Sequence, residues 1–252
     1  MGGGRFVMEP NERHSSAPGP LTPGPKKWSG RLRTAFQSGL GIAGLLVFVL
    51  TLAGRLDYFQ GWLFVGINAL LLAVLVVRIP ELPSLMKERA RPGPATKWWD
   101  RIFWALFGPM NLAVLVLACL DGGRFRWTGH LPLIAYGIAA LAYLAAGTLH
   151  FWAIRANPFY SRTVSIQAQT GQFAVAEGPY RYVRHPGYSG IIGMMVSLPL
   201  LLGSLWALLP SAGVFLLVTA RTVLEDRALK NELPGYAEYA GNVKYRIVPG
   251  LW

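Results

Sequence analysis

Six stretches of this chain, at about residues 35–53, 60–79, 102–120, 132–154, 188–203 and 205–222, are dominated by apolar residues, and a helix needs roughly 20 such residues to cross a bilayer. In hydrocarbon every backbone polar group must find an internal partner, so runs of this kind fold as helices. The predicted fold class is all-α, a polytopic membrane helix bundle of about six transmembrane helices. The fifth run is short, and Gly203-Ser204 serves only as a tight turn before the sixth. The last two runs therefore read as one helical hairpin. Composition agrees, with 53% hydrophobic and 14% charged residues and a mean hydropathy of +0.37 over 252 residues, against about 25% charged in soluble domains.

The net charge of +12 would suggest nucleic acid in a soluble protein. Its distribution along this chain points to the membrane instead. Lysine and arginine number 6 in the N-terminal arm, 6 in the 78–101 loop, 4 in the 155–187 loop and 5 from Arg221 onward, which makes 21 of the 24. The opposite loops hold only Arg55, Arg124 and Arg126. By the positive-inside rule both termini and the two longer loops are cytoplasmic. Residues 1–30 carry Gly, Pro, Ser and scattered charge without apolar periodicity, so they read as a disordered cytoplasmic arm, with the membrane domain spanning 31–252. No signal peptide is expected ahead of the first span. The single cysteine, Cys119, falls inside an apolar run, which excludes a disulfide framework or a cysteine-rich metal site and reads as a packed small residue.

Several motif-like features are better explained by the membrane than by chemistry. Gly39-Leu40-Gly41-Ile42-Ala43-Gly44 fits GxGxxG, but no strand precedes it and it lies within a span; small residues at that spacing predict close helix packing. Trp98, Trp99 and Trp127 sit at span ends, as aromatic belts do. His150 and Trp152 fall late in the fourth span near Arg155, where they could line a pocket, and the interfacial reading is the preferred one. No HExxH, acidic metal box or Walker loop is present, so a metal site is not expected.

Two clusters remain. Glu177–Ser189 reads EGPYRYVRHPGYS and stands beside the hairpin, while Arg221 and Glu225, four residues apart near the end of the last run, share one helix face. The hairpin returns both to the same membrane surface. Taken singly, Arg181, Arg184, Arg221 and Arg227 read as topology anchors with snorkelling side chains. An acid such as Glu225 among arginines does nothing for topology and wants a specific partner. Tyr180, His185, Tyr188, Arg221 and Glu225 together suit a polar small molecule entering from the cytoplasm.

The order Gly178-Pro179-Tyr180, Arg184-His185-Pro186-Gly187-Tyr188, helical hairpin, Arg221-x-x-x-Glu225, Gly235-Tyr236-x-x-Tyr239 and Pro249-Gly250-Leu251-Trp252 resembles the isoprenylcysteine carboxyl methyltransferase family over roughly the last 90 residues. The resemblance implies a membrane methyltransferase that uses S-adenosyl-L-methionine, with the cofactor-binding part at about 164–252. Carried over by position, Tyr180, His185, Pro186, Gly187 and Tyr188 would hold the cofactor, helped by Gln172, Phe173, Ala174 and Val175. Glu225 would complete that pocket, and Arg221 would face the methyl acceptor. The family's acidic pair reads Glu225-Asp226 here, and its upstream glutamine falls near both Gln167 and Gln169.

Arg221 suits an anionic acceptor through its planar fork, and the lipid side of the hairpin gives a lipophilic acceptor a route in. The expected reaction is carboxyl O-methylation of an isoprenylcysteine-like or other anionic lipid, with a prenylated protein, a lipid amine, a small thiol and a quinone-like lipid as acceptors the residues alone leave open. The tail Tyr245-Arg246-Ile247-x-Pro249 also resembles membrane sterol or ene reductases that use NADPH, and a non-catalytic membrane protein is the third possibility. Binding of S-adenosylmethionine, of NADPH, or of neither separates the three.

Overall fold

A computed structural model describes residues 27–78, 97–161, 163–164 and 171–252. Most of the expected arm, together with Gln167 and Gln169, lies outside the described residues. Among those residues the secondary structure is helical: α1 Lys27–Ala53, α2 Phe59–Arg78, α3 Trp98–Cys119, α4 Leu133–Ala156, α5 Pro186–Leu201, α6 Leu208–Glu232 and α7 Tyr236–Asn242. Five of them, all but α5 and α7, are long and apolar enough to cross a membrane, and α5 is a shorter apolar helix of 16 residues. The chain is thus a multi-pass membrane helix bundle.

Local sequence sets the helix ends. Gly54 takes φ +66° after α1, a left-handed conformation that glycine adopts without a Cβ penalty, and its N–H closes on the Leu50 carbonyl. α3 carries on through a π-helical turn at Leu120–Phe125. Pro186 opens α5 at a position where a missing N–H costs nothing.

At one end of the bundle the hairpin turn between α5 and α6 is pinned. Ser204 Oγ donates to Asp121 Oδ2 at 2.6 Å, and Thr128 donates to the same carboxylate from both its hydroxyl and its N–H. Tyr58 OH donates to the Leu202 carbonyl, the same carbonyl that a Cβ on Gly122 would strike. Asp121 and Ser204 are fully buried, so this polar knot fixes where α5 ends and α6 starts its run back across the bundle. The functional clusters sit at the other end.

Close helix approach occurs elsewhere than the GxGxxG stretch. A Cβ at Gly39, Gly41 or Gly44 would meet nothing within 4 Å, and these residues are exposed on α1, so the predicted packing there is absent among the described residues. The tight contact is between α4 and α5: a Cβ on Gly190 would meet the Ala146 carbonyl at 2.7 Å, and one on Gly193 would meet the Ala146 Cβ at 2.8 Å. Small residues let these two backbones close up. Cys119 is fully buried, as expected of a packed small residue.

Candidate functional site

The last apolar run ends near residue 222, but α6 continues to Glu232. Residues four apart on that extension share a face, and Arg221, Glu225 and Leu229 all line one cavity of about 400 Å³. The walls are α3 from Phe103 to Asn111, the end of α4 from His150 to Asn157, and the start of α5 from Gly187 to Met195. Tyr180, Gln172, Phe173, Ala174 and Val175 close it from the loop after α4, with Tyr236 and Tyr239 of α7. Of the residues singled out in the sequence, His185, Gly187, Tyr188, Arg221 and Glu225 line the same space. Pro186 does not; it starts α5 with its ring buried.

The cavity has two ends of different character. Phe107, Ile191, Met194 and Met195 give one end an apolar lining, with Asn111 as its amide. The other end collects the ionisable groups. Glu225 Oε2 accepts from Tyr188 OH at 2.5 Å, and its Oε1 lies 3.9 Å from His185 Nδ1. The His185 ring stacks on Tyr188 with centroids 5.6 Å apart and planes within 10°. His150, read as interfacial from sequence, instead lines the cavity and meets the Gly187 carbonyl at 3.0 Å through Nδ1. The α4–α5 contact brings it there.

Glu225 and Asp226 face different ways, because consecutive helical residues are about 100° apart around the axis. Asp226 is 1% exposed and does not line the cavity. It takes Arg184 bidentately, Nε at 2.8 Å and Nη2 at 3.2 Å, along with Arg246 Nε at 3.1 Å and Tyr236 OH at 3.1 Å. Arg184 Nη1 in turn donates to the carbonyls of Ala240, Val243 and Lys244. This cluster clamps the chain's tail against the His185 segment, whose N–H donates to the Arg246 carbonyl. Burial and the Asp226 carboxylate push the Tyr236 phenol well above its ordinary range, and burial does the same for Tyr180 and Tyr239. All three act as neutral hydroxyls; Tyr239 OH, for one, donates to the Tyr180 carbonyl at 2.7 Å.

Two arginines depart from the snorkelling expectation. Arg184 and Arg221 are buried, whereas Arg181 and Arg227 stay exposed. Arg221 Nη2 pairs with Asp100 Oδ1 at 2.7 Å, and its Nε is 3.8 Å from Glu225 Oε2. Its guanidinium carbon stands 4.1 Å from the Phe103 ring centre and 5.1 Å from that of Trp104. The sequence reading missed Asp100, Phe103 and Trp104. Asp100 stands between Lys97 and Arg101 at the edge of a span, where sequence position alone does not set it apart from a solvated loop charge.

The sequence model of the isoprenylcysteine carboxyl methyltransferase (ICMT) family matches residues 137–231. That stretch takes in most of α4, the His185 segment, the hairpin and α6 almost to its end. No curated protein matches the chain.

Proposed function

We propose that this chain, which belongs through residues 137–231 to the isoprenylcysteine carboxyl methyltransferase family, is an S-adenosylmethionine-dependent methyltransferase that acts at the cytoplasmic membrane face on a lipophilic acceptor. The observation that carries the reading is the cavity itself. One space of about 400 Å³ has an ionisable end at Glu225 and His185 and an apolar end between α3 and α5. Its volume lies within the roughly 300–1,000 Å³ of small-molecule sites. A polar cofactor and an apolar acceptor can therefore meet without either crossing an environment that repels it.

The donor set fits the cofactor. Glu225 is a carboxylate partly open to the cavity, with 20% of its side chain exposed, suited to accept from an ammonium or a ribose hydroxyl. Tyr180, His185 and Tyr188 offer hydroxyls, an imidazole and stacked ring faces at the same end. The loop residues Gln172, Phe173, Ala174 and Val175 and the backbone at Gly187 supply the remaining wall. Bound there, S-adenosylmethionine supplies a methyl group on a sulfonium, open to in-line attack. The chain's own contribution is to hold two reactants at near-attack distance, which is worth several kcal/mol of barrier, up to roughly 7–11 in well-oriented cases. No protein nucleophile is needed.

Arg221 sits where the two ends meet, its guanidinium plane backed by Phe103 and Trp104. We assign it to the acceptor, as a planar donor that orients a carboxylate for O-methylation. An arginine in a span is costly unless it faces a cavity or a counter-ion, and this one has both. The charge split of 21 to 3 supports the cytoplasmic placement of the site end and of both termini.

Calorimetry on purified protein in detergent tests the cofactor, with S-adenosylmethionine and NADPH titrated separately. Saturable binding of the first alone is the expected outcome. Binding of NADPH instead would refute the methyltransferase reading. Methyl-labelled cofactor incubated with a total membrane lipid extract then tests transfer, and label in a lipophilic product is expected.

A further inference from the structure

We propose that Asp100 is a positioning residue for the methyl acceptor, acting through Arg221; the inference rests on the methyltransferase reading. Asp100, Phe103 and Trp104 stand at i, i+3 and i+4 in the first turns of α3, so all three face the same way. All three engage Arg221. Asp100 Oδ1 pairs with Nη2 at 2.7 Å, while the Phe103 and Trp104 rings flank the guanidinium carbon at 4.1 and 5.1 Å. One helix face thus grips a side chain on another helix by charge and by both aromatic rings.

The carboxylate is itself held in place. Its Oδ2 accepts the Val164 N–H at 3.0 Å, so its two oxygens are committed to two different elements. Asp100 is 0% exposed and does not line the cavity, whereas Arg221 does. Its effect on anything bound there passes through residues that do line it, Arg221 by the ion pair and Val164 by its N–H, and an Arg221 background separates the two routes.

Neutralisation alone does not explain a second carboxylate. Glu225 already lies one turn from Arg221 on α6, at 3.8 Å, and a fully buried acid carries a desolvation cost that a redundant counter-ion does not offset. What Asp100 adds is direction. It draws one guanidinium nitrogen toward α3 as an ion pair, and together with the Phe103 and Trp104 rings it sets how the fork lies, while Glu225 Oε2 is taken up by Tyr188. A fork of fixed plane discriminates acceptors by geometry, because bidentate recognition depends on the angle at which a carboxylate arrives.

The test uses the full chain in detergent, with S-farnesylcysteine as the carboxylate probe and methyl-labelled S-adenosylmethionine. Cofactor affinity is measured by calorimetry and folding by a melting curve. Asp100→Asn should lower kcat/KM for the probe by about 10- to 100-fold, with cofactor affinity within about threefold of wild type. Asp100→Glu keeps the charge and shifts the carboxylate by one methylene, and it should remain similarly impaired. In an Arg221→Lys background, Asp100→Asn should cost no more than about twofold further, since the group it positions is gone.

Full activity in Asp100→Glu would overturn positioning in favour of simple charge compensation. Additive losses in the double variant would do so as well, and so would equal losses of cofactor affinity and melting temperature in every variant. A wild-type protein that binds the cofactor but does not methylate the probe would overturn the assignment of a carboxylate acceptor, and this inference with it. If the wild type binds no S-adenosylmethionine, the methyltransferase reading fails first and on its own measurement.

Discussion

Replacing Asp226 with Asn should destabilise the fold more than it disturbs the cavity, although Asp226 lies 3.7 Å from His185 Nε2 and its neighbour Glu225 is a candidate cofactor ligand. Asp226 is 1% exposed and holds Arg184, Arg246 and Tyr236, with Lys230 Nζ at 3.3 Å. Arg184 is itself buried, with 4% of its side chain exposed. Removing one member of a buried pair costs roughly 3–5 kcal/mol, because the other charge is left uncompensated. Two features argue for the lower end. Asparagine keeps one oxygen as an acceptor, and Arg184 Nη1 retains the carbonyls of Ala240, Val243 and Lys244. A loss of about 3 kcal/mol corresponds to a drop of roughly 6–12 °C in melting temperature at this chain length. Thermal unfolding of the two proteins in the same detergent, followed by circular dichroism, measures it. The reasoning fails if Asp226→Asn melts with wild type, or if it keeps its melting temperature and loses cofactor affinity to the extent that Glu225→Gln does.

Glu225→Gln is the complementary case, and we expect it to weaken S-adenosylmethionine binding by about 1–3 kcal/mol, roughly 5- to 150-fold in Kd, with little change in melting; calorimetry showing unchanged affinity in both this variant and His185→Ala would remove them from the cofactor site. Arg221→Lys keeps the charge and loses the planar fork, so turnover should fall while cofactor affinity holds; a fully active lysine variant would sink the acceptor assignment. Reporter fusions at residues 1 and 252 should both read cytoplasmic, and an external signal from the C-terminus would put the cavity's ionisable end on the wrong side of the membrane for the proposed cofactor.

The helices were legible because a bilayer leaves so little choice: apolar runs of membrane length have to close their backbone hydrogen bonds locally. The His185 segment and Glu225 were legible for a related reason, since polar groups beside hydrocarbon are expensive and so carry information. Asp100 and Arg184 were not, and the reason is the same for both. Each has its partner far along the chain, Asp100 at Arg221 and Arg184 at Asp226, and no local spacing rule links charges that only the fold brings together. Read alone, an acid between Lys97 and Arg101 looks like a solvated loop charge, and an arginine at a span edge looks like an anchor. The glycines of α1 failed in the opposite direction. Their spacing permits close packing but does not supply a partner, and the close approach formed at Gly190 and Gly193 instead.

The end of an apolar run is not the end of its helix, and here the difference of about one helical stretch is where the site lies. Hydropathy stops α6 near residue 222, but nothing before Leu233-Pro234-Gly235 breaks the backbone, and Gly235 then takes φ +78° to start the turn into α7. The stretch between holds Glu225, Asp226, Arg227 and Lys230, residues that a solvated helix end would simply expose. Instead the helical period separates them by role. Glu225 follows Arg221 and precedes Leu229 on the cavity face, Asp226 turns toward Arg184 and the tail with Lys230 reaching back to it, and Arg227 turns outward. A polar extension with fixed internal partners can hold charges at a membrane surface in one geometry, which a frayed end cannot, and that rigidity is what the proposed positioning of two reactants requires.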